Sequence, residues 1–254
     1  MISRNILRKN QFKNIIFLTL CLMIAMFLNW ALQPFVILIF KIPIHEMGHA
    51  LMAWLGGKWA FPVFVAGFTF IGQNRSALII GLSLFFYILS FFWFYKNRNF
   101  FLLSVTLILF SLFVKFTFRI SEIKLEQYIA LAGLLGEIVL PTIGLAIYFF
   151  DLKDIPHWNF WKYFVAFYCT VALYDSGLMW LRILDNLQNL PFGSALSSNG
   201  ASDSSGDLNR LVSAGWTNPQ ITHFYISSFK ICLMVILICM IFSFMIDTNE
   251  ENRN

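Results

Sequence analysis

Charge is what this chain has least of. Only 12% of its 254 residues are Asp, Glu, Lys or Arg, against 59% hydrophobic, whereas a soluble domain carries about a quarter charged residues. That excludes an ordinary soluble globular domain. Its apolar runs are continuous rather than alternating, which excludes a transmembrane β-barrel. Cysteine is sparse, and Cys21, Cys169, Cys232 and Cys239 all lie in apolar runs, where a free thiol behaves as a small hydrophobe. Neither a disulfide framework nor a cysteine zinc site is therefore expected. The net charge of +5 comes from basic residues scattered between apolar runs without a stacking platform, which argues against nucleic acid as a partner. No internal repeat is evident, and with it goes the inverted-repeat signature of many transporters.

What is present is a series of apolar runs, several reaching the ~20 residues that cross a bilayer. We expect an all-α polytopic membrane protein of about six or seven transmembrane helices, a single membrane-embedded domain over 1–254. A basic head, 1–13, holds Arg4, Arg8, Lys9 and Lys13. The apolar run that follows, 14–33, is longer than a signal-peptide core and has no small-residue cleavage site, so it reads as a retained anchor. The basic head should be cytoplasmic, with the loops near Lys58 and Arg75, near Arg119, and from Arg182 to Arg210 on the same side. The acidic tail, 247–254, falls opposite. Small size and 30 phenylalanines suit a bacterial cell membrane.

The second segment, 34–57, opens with Pro34 in a first-turn position and closes on Gly56-Gly57; Pro43 should kink it and free a carbonyl. Residues 58–76 read as a loop or a membrane-dipping hairpin. Runs at 77–95 and 100–118 read as lipid-facing scaffold, and 119–128 as a charged connection. The run 129–150 carries Gly133, Gly136, Glu137 and Pro141, the composition of a helix that is broken or closely packed. A further span, 161–184, contains Asp175. The polar stretch 185–222 turns into a short helix after Asp207, and Thr217 with Gln220 announces the last span, which runs to about Ile246.

Within the second segment lies Ile44-His45-Glu46-Met47-Gly48-His49-Ala50, an H-E-x-x-H pattern. On a helix, positions i and i+4 share a face, so His45 and His49 can offer two imidazole nitrogens to one ion. Glu46 stands beside them, where it can deprotonate a metal-bound water. Four histidines and thirteen carboxylates in the whole chain make a chance match uncommon. The alternative is two buried histidines that cap or bridge helices, but an unpaired intramembrane glutamate is costly and needs a reason.

Two histidines leave a catalytic Zn2+ short of one protein ligand. The sequence offers Asp207, Asp175, Asp203, Glu137, His223 and His157. Asp207 stands first, at a loop-to-helix junction on the motif's side of the membrane, although an aspartate between a glycine and an apolar helix is also an ordinary N-cap. Asp175 is the alternative third ligand, because a mid-membrane aspartate needs a partner. His157, between Pro156 and Trp158, reads as an interfacial residue.

His45-Glu46-Met47-Gly48-His49-Ala50 resembles the first motif of the site-2 protease family of intramembrane zinc metalloproteases. Ala132-Gly133-Leu134-Leu135-Gly136-Glu137 is similar to that family's Ala-Gly-Pro-x-x-Asn element, with Leu134 in place of proline. Glu137 stands where the family has an asparagine that helps hold the substrate carbonyl, which makes it a candidate substrate-positioning residue. The family's late Asp-Gly element has no counterpart dipeptide here; Gly206-Asp207-Leu208 resembles the form found in small, divergent bacterial members. The resemblance covers about half the chain. It implies a zinc-dependent endopeptidase with His45, His49 and an aspartate on zinc and Glu46 as the base. Its partners would be the lipid bilayer and a membrane protein or peptide substrate. A non-proteolytic metal-binding membrane protein, a transporter, sensor or degenerate homologue, is the competing expectation, since intramembrane Glu137 and Asp175 also fit an ion path.

Overall fold

Among the described residues, seven stretches are long and apolar enough to cross a membrane, and each is helical. The structure, a computed structural model, describes residues 2–150, 157–193 and 206–250. It is an all-α polytopic fold with one small hairpin among the described residues. Helix α1 (Ile2–Ala31) forms the first span, and the basic head begins this helix rather than preceding it. The second span is composite: α2 (Gln33–Val36), a π-helical turn (Ile37–Lys41) and α3 (Ile42–Leu55). Strands β1 (Lys58–Val63) and β2 (Phe68–Arg75) follow, then α4 (Ala77–Lys96), α5 (Phe100–Val114), α6 (Glu122–Tyr148), α7 (Trp158–Asp185), α8 (Asp207–Ser213) and α9 (Asn218–Glu250).

Helix α6 is central. It packs against α3, α7, α8 and α9, and Leu125, Ile129 and Ile138 along it are fully buried. The glycines explain how α3 comes so close. A Cβ on Gly48 would overlap the Ala132 carbonyl, and one on Gly136 would lie 2.9 Å from the Gly48 Cα. In lipid, where apolar surface alone gives helices little reason to associate, small residues allow this backbone approach and the dispersion contacts that come with it. Of the two forms open to the 129–150 run, the closely packed one is found: α6 stays continuous through Pro141.

Pro43 lies in the first turn of α3, and the extra residue of the π-helical turn comes immediately before it. A proline at 43 cannot donate to the carbonyl of Ile39. That carbonyl instead accepts the Tyr168 hydroxyl of α7 at 2.8 Å, so a protein group fills the hydrogen bond that lipid cannot supply.

Residues 58–75 form an antiparallel hairpin, with Phe61 opposite Phe70 and a turn through Gly67 at φ +65°. Lys58 is tied to α6 by Glu126 at 2.6 Å and Glu122 at 3.2 Å. Arg75 donates to the carbonyls of Gly56, Phe116 and Ile120. The charged 119–128 connection is shorter than expected: α6 already starts at Glu122, behind extended Ser121, and an acidic first turn suits the helix dipole. Helices α4 and α5 pack mainly on each other, and no residue of α4 is buried, which fits the lipid-facing scaffold. Thr217 and Gln220 cap α9 reciprocally, at 2.9 and 3.4 Å. That helix runs past Ile246 to Glu250, while 251–254 of the acidic tail lie outside the described residues.

Candidate metal centre

One turn of α3 separates His45 from His49, and their rings meet edge to face with centroids 4.7 Å apart. The two Nε2 atoms are 3.1 Å from each other. Asp207 Oδ2 completes a triangle, 3.1 Å from each of them. Asp207 is not an N-cap. Gly206 holds that position, and Asp207 is the first residue of α8 with its side chain turned to the histidines. Leu208 and Leu211 are fully buried, and Asn209 Oδ1 accepts the Gly193 amide at 2.8 Å; these contacts seat α8 and aim the carboxylate.

The far side of each imidazole is already committed. His45 Nδ1 donates to Glu137 Oε1 at 2.8 Å, and His49 Nδ1 donates to the carbonyl of Ile129 at 2.7 Å. The Ile129 carbonyl has no hydrogen to give, and Glu137 beside the Lys41 ammonium accepts as a carboxylate, so each Nδ1 carries the proton. In the neutral rings, two Nε2 lone pairs and a carboxylate oxygen then converge on one point. Such a triangle repels itself unless a metal ion or a proton stands among its members. Gly133 makes the room: a Cβ there would overlap His49 Nε2 and lie 2.8 Å from Asp207 Oδ2. Asp207 lies outside the spans. With the imidazoles protonated instead, burial still pushes its carboxyl up, but the His49 charge and hydrogen bonds from both rings outweigh that and hold it well below the usual carboxylate range.

Glu46 is buried. Its Oε2 accepts the Thr69 hydroxyl from β2 at 2.6 Å. A cavity of about 850 Å³ opens beside these groups, with His45, His49, Glu46 and Asp207 on its wall. Strand β2 lines it opposite α3 through Phe68, Thr69 and Gln73, and Arg210 borders it one turn beyond Asp207.

Among the described residues, His45, His49 and Asp207 are the only His, Cys, Asp or Glu trio placed to share an ion. Asp175 does not reach it; its Oδ2 lies 3.4 Å from the ammonium of Lys41. Glu137 stands behind His45. His157 precedes α7 in a left-handed conformation, and His223 lines a separate surface groove with Pro219 and Phe224. Asp203 lies outside the described residues. Sequence reading missed Thr69 and Ser176, for which no pattern speaks. It also left Lys41 without a role, although Lys41 stands four residues before His45 on the motif's own face.

Comparison of the chain with protein families, with curated proteins and with solved structures returns no match. The donor set itself can be tested against zinc. Tetrahedral ligation at ~2.0–2.1 Å separates ligand atoms by about 3.3 Å, close to the 3.1 Å edges of this triangle. Two neutral imidazoles, a carboxylate and an open side facing a cavity are the ligand set of a catalytic rather than a structural zinc.

Proposed function

We propose that this chain is a membrane-embedded zinc endopeptidase acting on membrane-spanning or membrane-adjacent peptides. One observation carries the reading: two tautomer-fixed histidines and an aspartate converge on a single point beside a buried glutamate, at the wall of a cavity large enough for a stretch of peptide. His45, His49 and Asp207 would hold the zinc. Bound there, it supplies Lewis acidity and lowers the pKa of a coordinated water toward ~7.

The residues of the chain do the rest. Glu46 accepts the proton of the attacking water and passes it to the leaving amine. The Thr69 hydroxyl restrains that carboxylate, so its free oxygen keeps one aim. Strand β2 forms the opposite wall and confines an incoming peptide against α3. The site-2 protease resemblance of the histidine motif and the Ala132–Glu137 segment supports the same assignment. So does the charge of the loops. The hairpin, the start of α6 and the start of α8 meet at one end of the bundle and carry Lys58, Arg75, Lys124 and Arg210. On that basis the centre lies toward the cytoplasmic side of a bacterial membrane; the start of α1 does not share that end, because Asn14 and Phe17 lie against Tyr148 at the end of α6 and Tyr163 at the start of α7.

The deciding experiment is zinc content per purified chain for the wild type, Asp207→Ala and Asp175→Ala. One zinc in the wild type, lost in Asp207→Ala and kept in Asp175→Ala, is expected. A wild type that holds none, or that moves zinc across proteoliposomes and cleaves no membrane peptide, would replace this reading with the non-proteolytic one.

A further inference from the structure

Lys41, Glu137, Asp175 and Ser176 take no part in the chemistry above, yet they form a polar chain through the interior of the bundle. Glu137 Oε1 accepts the proton of His45 Nδ1 at 2.8 Å, while its Oε2 accepts Ser176 Oγ at 2.9 Å and lies 3.5 Å from Lys41 Nζ. The same ammonium is 3.4 Å from Asp175 Oδ2 and 3.1 Å from Met179 Sδ. Glu137 is 2% exposed and Asp175 5%.

We infer that Glu137 is the positioning residue of the metal centre, and that Lys41 and Ser176 fix it in place. The inference rests on the metal reading of His45, His49 and Asp207. The two histidines are held differently. His49 is oriented by a helix carbonyl, which cannot swing. His45 is oriented by a flexible glutamate side chain, which can. Glu137 therefore needs restraints of its own, and it has one from each neighbour: Ser176 on α7 and Lys41 at the end of the π-helical turn. A ligating histidine whose second nitrogen is held by a carboxylate keeps its tautomer and its ring plane. A carboxylate in lipid is costly without a counter-charge, and Lys41 supplies one to both Glu137 and Asp175. In this way α7, which gives no ligand, is coupled to the centre. The π-helical turn has a use as well, since such turns concentrate at functional sites and this one delivers Lys41 onto the face of His45.

The test uses the full chain in lipid nanodiscs as wild type, Glu137→Ala, Glu137→Gln, Lys41→Met and the Lys41→Met/Glu137→Gln pair. Zinc dissociation constants are read by competition with a chromogenic chelator. Histidine tautomers are read by ¹⁵N NMR on the metal-free, ¹⁵N-histidine-labelled protein. Glu137→Ala should weaken zinc by roughly 10–100-fold and mix the tautomers of His45 while leaving His49 unchanged. Glu137→Gln keeps an acceptor oxygen and should stay close to wild type. Lys41→Met alone should weaken zinc, and the pair should recover to the Glu137→Gln level, because a neutral amide in place of the carboxylate needs no counter-charge and Asp175, which Lys41 also serves, touches no ligand. Wild-type affinity with an unmixed His45 tautomer in Glu137→Ala would overturn the inference. If that variant does not accumulate, additive losses in the Lys41→Met/Glu137→Gln pair would overturn it instead. A wild type without zinc would sink the protease reading, while the tautomer comparison would still decide whether Glu137 positions His45.

Discussion

Gly133 lies directly beneath His49. A Cβ built on it would overlap His49 Nε2 and come within 2.8 Å of Asp207 Oδ2, so the triangle of donor atoms exists in space that a glycine leaves open. Overpacking of this kind costs about 1–3 kcal/mol, equivalent to roughly 5–150-fold in an equilibrium. Gly133→Ala should weaken zinc by that factor without unfolding the bundle, because the Gly48–Gly136 approach that joins α3 to α6 is untouched. Gly81→Ala, where a Cβ would meet nothing within 4 Å, is the matched control and should bind zinc as the wild type does. Equal affinities in the two variants would remove Gly133 from the site.

The outlines of this site were legible in local sequence, and its completion was not. His45, Glu46 and His49 follow helical period, so one turn of backbone puts them together wherever the helix goes. The third member of the trio does not follow any period. Asp207 meets His49 across 158 positions of chain, and nothing short of the packing of α8 on α6 selects it over Asp175. The seven spans were readable because lipid demands long apolar runs. The hairpin was legible only as one of two alternatives, because Pro62 inside β1, Gly67 in the turn and Gly72 inside β2 also read as loop. Pro141 pointed to a break, but burial against α3 and α7 keeps α6 continuous. The Glu137–His45 contact joins residues 92 positions apart, and only its cost in lipid hinted that Glu137 had a partner.

Acid should separate metal binding from the docking of α8. Zinc needs neutral imidazoles, so its affinity falls as pH falls. Asp207 behaves in the opposite sense. Its folded carboxyl is held below the ordinary range, so the stability it contributes is fully present above the unfolded value of ~3.9 and disappears only as pH drops through the lower, folded value. Between neutral pH and about 4, the protein should lose zinc and keep α8 docked. Zinc occupancy and hydrogen exchange of residues 207–213, measured across that range, check this directly. Exchange that rises in step with zinc loss would show that the metal, and not Asp207 with its two imidazoles, seats α8.

Lys58 is 1% exposed. It donates to Glu126 and to the Gln73 carbonyl, each at 2.6 Å, and so ties both strands of the hairpin to α6. Its carboxylate partners are half-exposed, so removing the ammonium does not strand a deeply buried charge. Lys58→Met should destabilise the hairpin by about 1–3 kcal/mol, the range for hydrogen bonds to charged groups. Faster hydrogen exchange over 58–75 is the expected signature. Zinc affinity should be unchanged, because no ligand comes from the hairpin. Peptide cleavage should drop, because the hairpin carries Thr69 and one wall of the cavity. A variant with loosened strands and full activity would show that β2 does not confine substrate.

Glu46 and Thr69 separate chemistry from metal binding most sharply. Glu46 is no ligand, so Glu46→Gln should keep one zinc per chain. It should also lose cleavage by the ~10²–10⁴-fold that a positioned general base contributes, since the amide cannot take the water proton. Thr69→Val removes only the hydroxyl that Glu46 Oε2 accepts at 2.6 Å. The carboxylate remains but can swing, and a hydrogen bond to a charged group is worth about 1.5–3 kcal/mol. Its kcat should therefore fall by roughly 10–100-fold, with zinc content and KM little changed. In the double variant the Thr69 effect should vanish, because a hydroxyl that acts only through the carboxylate has nothing left to orient. If Thr69→Val instead lowers cleavage by the same factor in both backgrounds, the hydroxyl acts on substrate directly, and β2 contributes to binding rather than to the aim of the base.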